Sequence, residues 1–251
     1  ILMTSDFADT KRLSEIIAEG KSRMQGQMIS AGHNVAVNRA LSYGSASGEV
    51  SELISGIPFY RFSTELIENF EGKKEELVTA LQTLAKMIFR KENLMVDFIG
   101  TEEGLGKVET ATADFAAGLY DCPVEKGTLN LEISRKNEAF MTSGQVQYVC
   151  RAGNFRRAGL PYTGALRMLK VMMGYDYLWN NIRVKGGAYG CMCNFGKSGE
   201  SYFVSYRDPN LTKTIDVYEK AADTIAAFDA DERTLTQYLI GAISDLDIPM
   251  N

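Results

Sequence analysis

The strongest constraint on the fold is a change of hydrophobic period in the C-terminal half of the chain. Over 162–178 the apolar side chains recur at helical spacing, which predicts an amphipathic helix. After a Gly-Gly pair, the stretches 186–196 and 201–207 alternate as strands do, and the glycine-rich sequence between them predicts a hairpin. A helix that leads into a hairpin through a glycine turn indicates an α+β unit.

The remaining chain reads mainly as helices with a few short strands. Apolar residues at helical spacing predict further helices at 10–29, 31–43, 59–70, 72–90, 101–120, 210–228 and 231–244. Helix caps are expected at Asp9 or Thr10, at Asp208, and at Asp231 or Asp229. Short apolar runs predict strands at 93–100, 127–134 and 143–153. The small, polar segment 42–56 predicts a mobile connection.

This order of elements predicts an α+β fold in two parts, each an antiparallel or mixed sheet covered by helices. Residues 1–102 read as the end of one domain, 103–126 as a connecting helix and linker, and 127–251 as most of a second domain. A strand at 93–100 needs partners, and no upstream run supplies them. Together with a start that lacks Met and an abrupt end, this predicts a piece of a longer protein.

The charge balance argues against two classes of partner. The net charge is −5, whereas binding to nucleic acid or to an acidic membrane surface needs a basic face. The sequence contains no run of 18 apolar residues, so no membrane span is predicted. Apolar residues make up 45% of the chain, which is the value of a globular protein with a sizeable core.

Cysteine and histidine usage limits the chemistry further. The four cysteines lack the spacing of a disulfide framework or a structural zinc site, so reduced thiols in a cytosolic setting are expected. The single histidine, His33, cannot build a catalytic zinc site by itself, because such a site needs two or three His ligands. We interpret His33 as a helix-surface or helix-packing residue, since nothing in the sequence supplies a second ligand or a nucleophile beside it.

The candidate site is the segment from Arg183 to Tyr189, six residues apart across Gly186 and Gly187. An Arg fork and a phenol held together can both donate to one carbonyl or carboxylate oxygen. The glycines allow a turn and a close backbone approach. From the spacing alone, an alternative stays open, with Arg183 in a surface ion pair and Tyr189 packed in a sheet.

The wider wording of this region resembles a known family. The run YLWNNIRVKGGAYG, followed by SYRDPNL, resembles the C-terminal part of the insulinase-type (pitrilysin) zinc metallopeptidases, and within them the presequence-protease branch. RLSEIIAE, ISAGHNVAVNRALSY, SGIPFYRF and IFRKENLMV resemble the region that precedes it, so the likeness covers nearly the whole chain. The two predicted domains would then be the third and fourth of four similar domains.

The resemblance implies a role for each residue of the candidate site. Arg183 and Tyr189 would bind the substrate backbone and stabilise the tetrahedral intermediate, with Gly186, Gly187 and Ala188 beside the substrate. Zinc would be bound by an H-x-x-E-H motif in the N-terminal half of the enzyme, so no metal is expected in this chain. That half and short unstructured peptides are the implied partners.

The resemblance also implies where and how such a chain works. The intact enzyme would degrade peptides in a closed chamber, in the cytoplasm or in an organellar matrix, and this chain alone would be inactive. The alternative is a non-catalytic scaffold or peptide-binding subunit of the same fold. Faces left apolar by truncation would favour a dimer.

Overall fold

The computed structural model describes residues 5–125, 127–131 and 133–247, which form two compact units. The first unit contains the chain up to Lys21 together with Ser63–Asn130. The second unit contains Ser22–Phe62 together with the chain from Leu131 onward. All residues of the candidate site belong to the second unit.

The described residues form many helices and a three-stranded antiparallel sheet, which confirms the predicted α+β class. The α-helices are α1 (Thr10–Ser30), α2 (Gly32–Ser42), α3 (Ala46–Ser55), α4 (Ile57–Glu68), α5 (Phe70–Ile88), α6 (Glu102–Ala117), α7 (Ala165–Met172), α8 (Thr212–Glu219), α9 (Ala221–Ala226) and α10 (Glu232–Ser244). The strands are β1 (Cys150–Asn154), β2 (Gly190–Phe195) and β3 (Glu200–Tyr206). Within the described ranges no helix is both long and apolar enough to cross a membrane.

The sheet is built around the predicted hairpin. The strand order is β1-β3-β2, and both neighbours run antiparallel to the central strand β3. The hairpin turn closes with the Gly196 N–H donating to the Glu200 carbonyl at 2.7 Å, and Gly199 takes a φ of +93° that favours glycine. The helix α2 packs against β1 and β3. The hairpin prediction is therefore confirmed.

A single apolar core lies between the sheet and the helical segment that precedes the hairpin. The predicted helix 162–178 begins later, at Ala165, and continues as a π-helix over Met173–Val184. The core residues are Val149, Met172, Met173, Leu178, Ile182, Ala188, Cys193, Tyr218 and Ala221. Because Leu178 and Ile182 are fully buried there, the end of the π-helical segment is anchored close to the candidate site.

Two strand predictions are wrong. Residues 94–99 are irregular and follow a short 3₁₀ turn, and Met95 and Ile99 are 90% and 95% exposed. The described residues of 127–134 are irregular too. An apolar run becomes a strand only when another strand supplies hydrogen-bond partners, and the described residues supply none at these positions. The third prediction, at 143–153, forms a strand only in its last part, as β1.

The segment 42–56 is not a mobile connection, because it contains α3. Ser45 caps this helix, accepting a hydrogen bond from the Gly48 N–H at 3.0 Å. Glu52 is completely buried, pairs with Arg39 at 3.4 Å and accepts from the Ile57 N–H at 3.1 Å. A side-chain cap and a buried ion pair thus make a helix of a segment whose small polar residues suggested a loop.

Two of the three predicted cap regions are correct. Asp9 accepts from the Arg12 N–H at 2.9 Å, and Asp231 accepts from the Thr234 N–H at 2.8 Å. The prediction for Asp208 is wrong, because α8 begins only at Thr212. The predicted helix 210–228 is also interrupted at Lys220, between α8 and α9.

Candidate functional site

The candidate site lies on the turn between the π-helical segment and β2. The Gly187 N–H donates to the Arg183 carbonyl at 2.9 Å, and the Ala188 N–H donates to the Ile182 carbonyl at 3.1 Å. The turn is thus a continuation of the helix end, and the buried Ile182 and Ala188 tie it to the core. Arg183 and Tyr189 stand at its two ends.

Each glycine of the turn is required for a different reason. A Cβ on Gly186 would lie 2.4 Å from the Ile182 carbonyl oxygen, so only a residue without a side chain fits. Gly187 has a φ of +78°, which an L side chain rarely adopts. The Gly186 carbonyl accepts a hydrogen bond from the Asn210 amide at 2.6 Å, which holds the turn to the segment after β3.

The structure brings Arg183 and Tyr189 into direct contact. The Arg183 guanidinium carbon lies 4.9 Å from the Trp179 ring centroid and 5.1 Å from the Tyr189 ring centroid. Its Nη1 donates to the Ala188 carbonyl at 3.4 Å and to the Tyr189 carbonyl. Among the described residues, the partners of Arg183 are therefore two aromatic faces and two carbonyl oxygens, not the carboxylate of a surface ion pair.

Tyr189 is held by its backbone while its side chain stays accessible. Its N–H donates to the Tyr206 and Arg207 carbonyls at 3.0 and 3.3 Å, whereas 66% of the residue is exposed. Its hydroxyl has no hydrogen-bond partner in the part of the chain that the structure describes, so the O–H is available to a ligand. Tyr189 thus precedes β2 and does not pack within the sheet.

Arg183 and Tyr189 share an open depression of about 520 Å³. Its lining consists of Arg183, Val184, Gly187, Ala188, Tyr189 and Arg207. Gly186 is not among these residues, and its contacts are those of the turn. The arrangement presents a guanidinium group and a phenol on a surface wide enough for an extended peptide.

An aromatic cluster that the sequence reasoning did not find supports the site. The Tyr206 ring packs edge-on against Tyr189 at 5.9 Å and against His33 at 4.7 Å, and Tyr148 lies 5.7 Å from Tyr206. The Tyr148 hydroxyl donates to the Ile29 carbonyl at 2.6 Å. The start of α2 is therefore part of the support of Tyr189. The SYRDP wording pointed to Tyr206, whereas nothing in the sequence pointed to His33.

The environment of His33 predicts an acid-sensitive contribution to stability. Burial lowers the pKa of His33 from its ordinary 6.5, and its Nδ1 is buried with no partner among the described residues. The unfolded chain therefore takes up this proton at a higher pH than the folded chain, and stability falls as the pH drops below about 6.5. We expect His33→Phe, which keeps a ring against Tyr206, to lose less unfolding free energy between pH 7 and pH 5.5.

Urea unfolding of the parent and His33→Phe chains at several pH values measures this difference. Other groups titrate in both chains and cancel when the two curves are subtracted. Parallel curves for the two chains would contradict the assignment.

The cysteines of the sheet region are unsuited to nucleophilic catalysis. Burial raises the pKa of Cys150 and Cys193 to about 12 and the pKa of Cys191 to about 11. A thiol is reactive as its thiolate, which is scarce at neutral pH under these conditions. All four cysteines are free.

The described residues do not provide a zinc site. No group of three or more His, Cys, Asp or Glu side chains within the described ranges could hold a metal ion. The residues around Arg183 and Tyr189 are aromatic, cationic or apolar, which does not match the ligand set of zinc. The chemistry of this site is therefore that of hydrogen-bond donors.

Comparisons with known proteins agree with the resemblance of the sequence. Residues 137–251 match the family model of the PreP C-terminal domain, and residues 1–66 match the model of a region associated with the same class of peptidase. The chain is 37% identical to protein HypA of Clostridium perfringens over all of its length and 26% of that protein. It is 30% identical to presequence protease 1 of Arabidopsis thaliana, named chloroplastic/mitochondrial, over 98% of its own length and 23% of the relative.

A mitochondrial presequence protease of Yarrowia lipolytica is 25% identical over the full chain and 26% of its own length. The chain thus spans about a quarter of the length of the curated relatives it matches. The two family models occur in the order found in one C-terminal region, and the run around Arg183 and Tyr189 lies inside the second of them. The chain belongs to the presequence-protease branch of the insulinase-type (pitrilysin) metallopeptidase family.

Proposed function

We propose that this chain supplies the substrate-binding part of a zinc metalloendopeptidase that degrades short, unstructured peptides. The observation that carries the proposal is the contact between Arg183 and Tyr189 at one open depression. In this pair the guanidinium is packed between two rings, so its remaining donors are fixed in direction. The phenol hydroxyl is accessible and has no partner among the described residues.

The pair suits the backbone of a bound peptide. Arg183 donates to a peptide carbonyl, and the Tyr189 O–H donates to a carbonyl oxygen as that oxygen gains negative charge in the tetrahedral intermediate. Gly187 and Ala188 line the depression without bulky side chains, which permits close approach of an extended backbone. Both donors are held in place before substrate binds, and such preorganisation is what lowers a barrier.

Zinc, when bound by the N-terminal half of such an enzyme, supplies the Lewis acid and activates the attacking water. The proposal assigns residues 1–102 to the end of a third peptidase-like domain, 103–126 to a connector and 127–251 to the fourth domain. The enzyme would act in the cytoplasm or in an organellar matrix. The names of the relatives support a peptidase and an organellar setting for those proteins.

The proposal is tested with a fluorogenic, unstructured peptide. The chain alone is expected not to cleave it, with or without added zinc, and cleavage is expected once the zinc-binding N-terminal half encoded by the same gene is added. Zinc-dependent cleavage by this chain alone contradicts the proposal, and so does a gene that encodes no such half. Peptide binding without cleavage by the combined halves would instead identify a non-catalytic subunit.

A further inference from the structure

The depression beside Tyr189 carries a second guanidinium group that the Arg/Tyr pair leaves unexplained. Arg207 lines the same depression as Arg183 and Tyr189. Its guanidinium carbon lies 5.5 Å from the centroid of the Tyr206 ring, and that ring packs edge-on against Tyr189. The aromatic cluster that supports Tyr189 therefore also positions Arg207.

The backbone of Arg207 adopts a conformation that disfavours an arginine. It is the only non-glycine residue with a positive φ, +48°, in the described part of the chain. Glycine adopts this conformation without a steric penalty, whereas an arginine is strained there. Such outliers cluster at functional sites, so the position suggests that the arginine side chain is used.

The positive charge at the depression is not neutralised from within the described residues. Neither Arg183 nor Arg207 pairs with a carboxylate there, and Asp208, although adjacent, is turned inward. The Asp208 carboxylate is completely buried and accepts from the Asn210 N–H at 2.8 Å and from the Thr214 hydroxyl at 2.7 Å. The depression thus holds two guanidinium groups without an anion.

We propose that Arg207, together with Arg183, binds a carboxylate of the peptide substrate. The inference rests on the proposed function of the same site and adds a preference for a class of peptide. The planar guanidinium matches a carboxylate through two parallel hydrogen bonds. The carboxylate comes either from an acidic side chain or from the C-terminus of the peptide, and both present the same group to the depression.

The experiment compares four labelled peptides of one unstructured sequence by fluorescence anisotropy with this chain. The first has a free C-terminus and neutral side chains, and the second is its C-terminal amide. The third is an amide with one internal Glu, and the fourth carries Gln at that position. We expect a peptide with the recognised carboxylate to bind about tenfold more tightly than its neutral counterpart. The first pair tests the C-terminus and the second pair tests the side chain.

Three variants connect this preference to Arg207. Arg207→Gly is expected to reduce the carboxylate-to-neutral affinity ratio to near one, while its thermal midpoint stays equal to or above that of the parent. Arg207→Lys retains a charge and should keep part of the ratio, and more of it at low salt than at high salt. Lys213→Ala, which removes an exposed cation outside the depression, should leave the ratio unchanged.

The outcomes separate this inference from the proposed function. If all four peptides bind equally and binding depends on Arg183, the Arg/Tyr pair stands and the carboxylate subsite is refuted. A ratio that survives Arg207→Gly refutes the subsite as well. If none of the peptides binds, or binding is indifferent to Arg183 and Tyr189, both the subsite and the proposed function are wrong.

Discussion

Arg183→Ala is expected to lower kcat/KM of the combined peptidase halves by about 10²–10³. The guanidinium is fixed between Trp179 and Tyr189 and donates within a preformed depression. Removing one donor of this kind typically costs about 2.7–4 kcal/mol of transition-state stabilisation. Because the interaction strengthens as charge develops on the substrate oxygen, we expect the loss mainly in kcat rather than in KM.

Tyr189→Phe tests the second donor with a minimal change of shape. It removes the hydroxyl and keeps the ring against Arg183 and Tyr206, so the fold should be unaffected. Lys185→Ala is the matched control, because Lys185 is an exposed cation on the same turn whose Nζ contacts only Asn181 at 3.4 Å among the described residues. Steady-state kinetics with a fluorogenic peptide measure all three variants. Equal activity of Arg183→Ala and Lys185→Ala would contradict the assigned role.

Arg39→Ala is expected to lower the free energy of unfolding by about 3–5 kcal/mol. Arg39 lies between two carboxylates, with Nη1 3.4 Å from the buried Glu52 and with Nε and Nη2 2.8 and 3.1 Å from Glu138. Burial raises the pKa of Glu52, whereas the hydrogen bond from Arg39 lowers the pKa of Glu138. Removing the arginine leaves the Glu52 charge buried without its cation, which is the costly case.

Two controls separate this effect from the loss of an ordinary salt bridge. Arg151→Ala breaks an exposed pair with Glu219, whose side chains are 54% and 58% exposed, and should cost about 0–1 kcal/mol. The double variant Arg39→Ala with Glu52→Gln removes the buried charge as well and should recover part of the stability. Urea unfolding followed by circular dichroism gives the free energies. A cost for Arg39→Ala no larger than that for Arg151→Ala would refute the buried network.

Hydrophobic period was informative wherever a segment could satisfy its own hydrogen bonds. The helices near 10–30, 72–88 and 232–244 were predicted closely, because helical hydrogen bonds are local and the apolar stripe shows directly in the sequence. The hairpin was predicted for the same reason, since its two strands are neighbours along the chain. The strand expected at 93–100 failed because its partners would have had to come from elsewhere.

The sequence by itself determined the α+β class, the family, and the separation of Arg183 and Tyr189 across a glycine turn. Only the tertiary structure decided how these residues are held. The position of His33 beneath Tyr206, the burial of Glu52 against Arg39 and the strained backbone of Arg207 all depend on contacts between distant segments. Such contacts leave no periodic trace in a single sequence, because they follow from how packed elements meet.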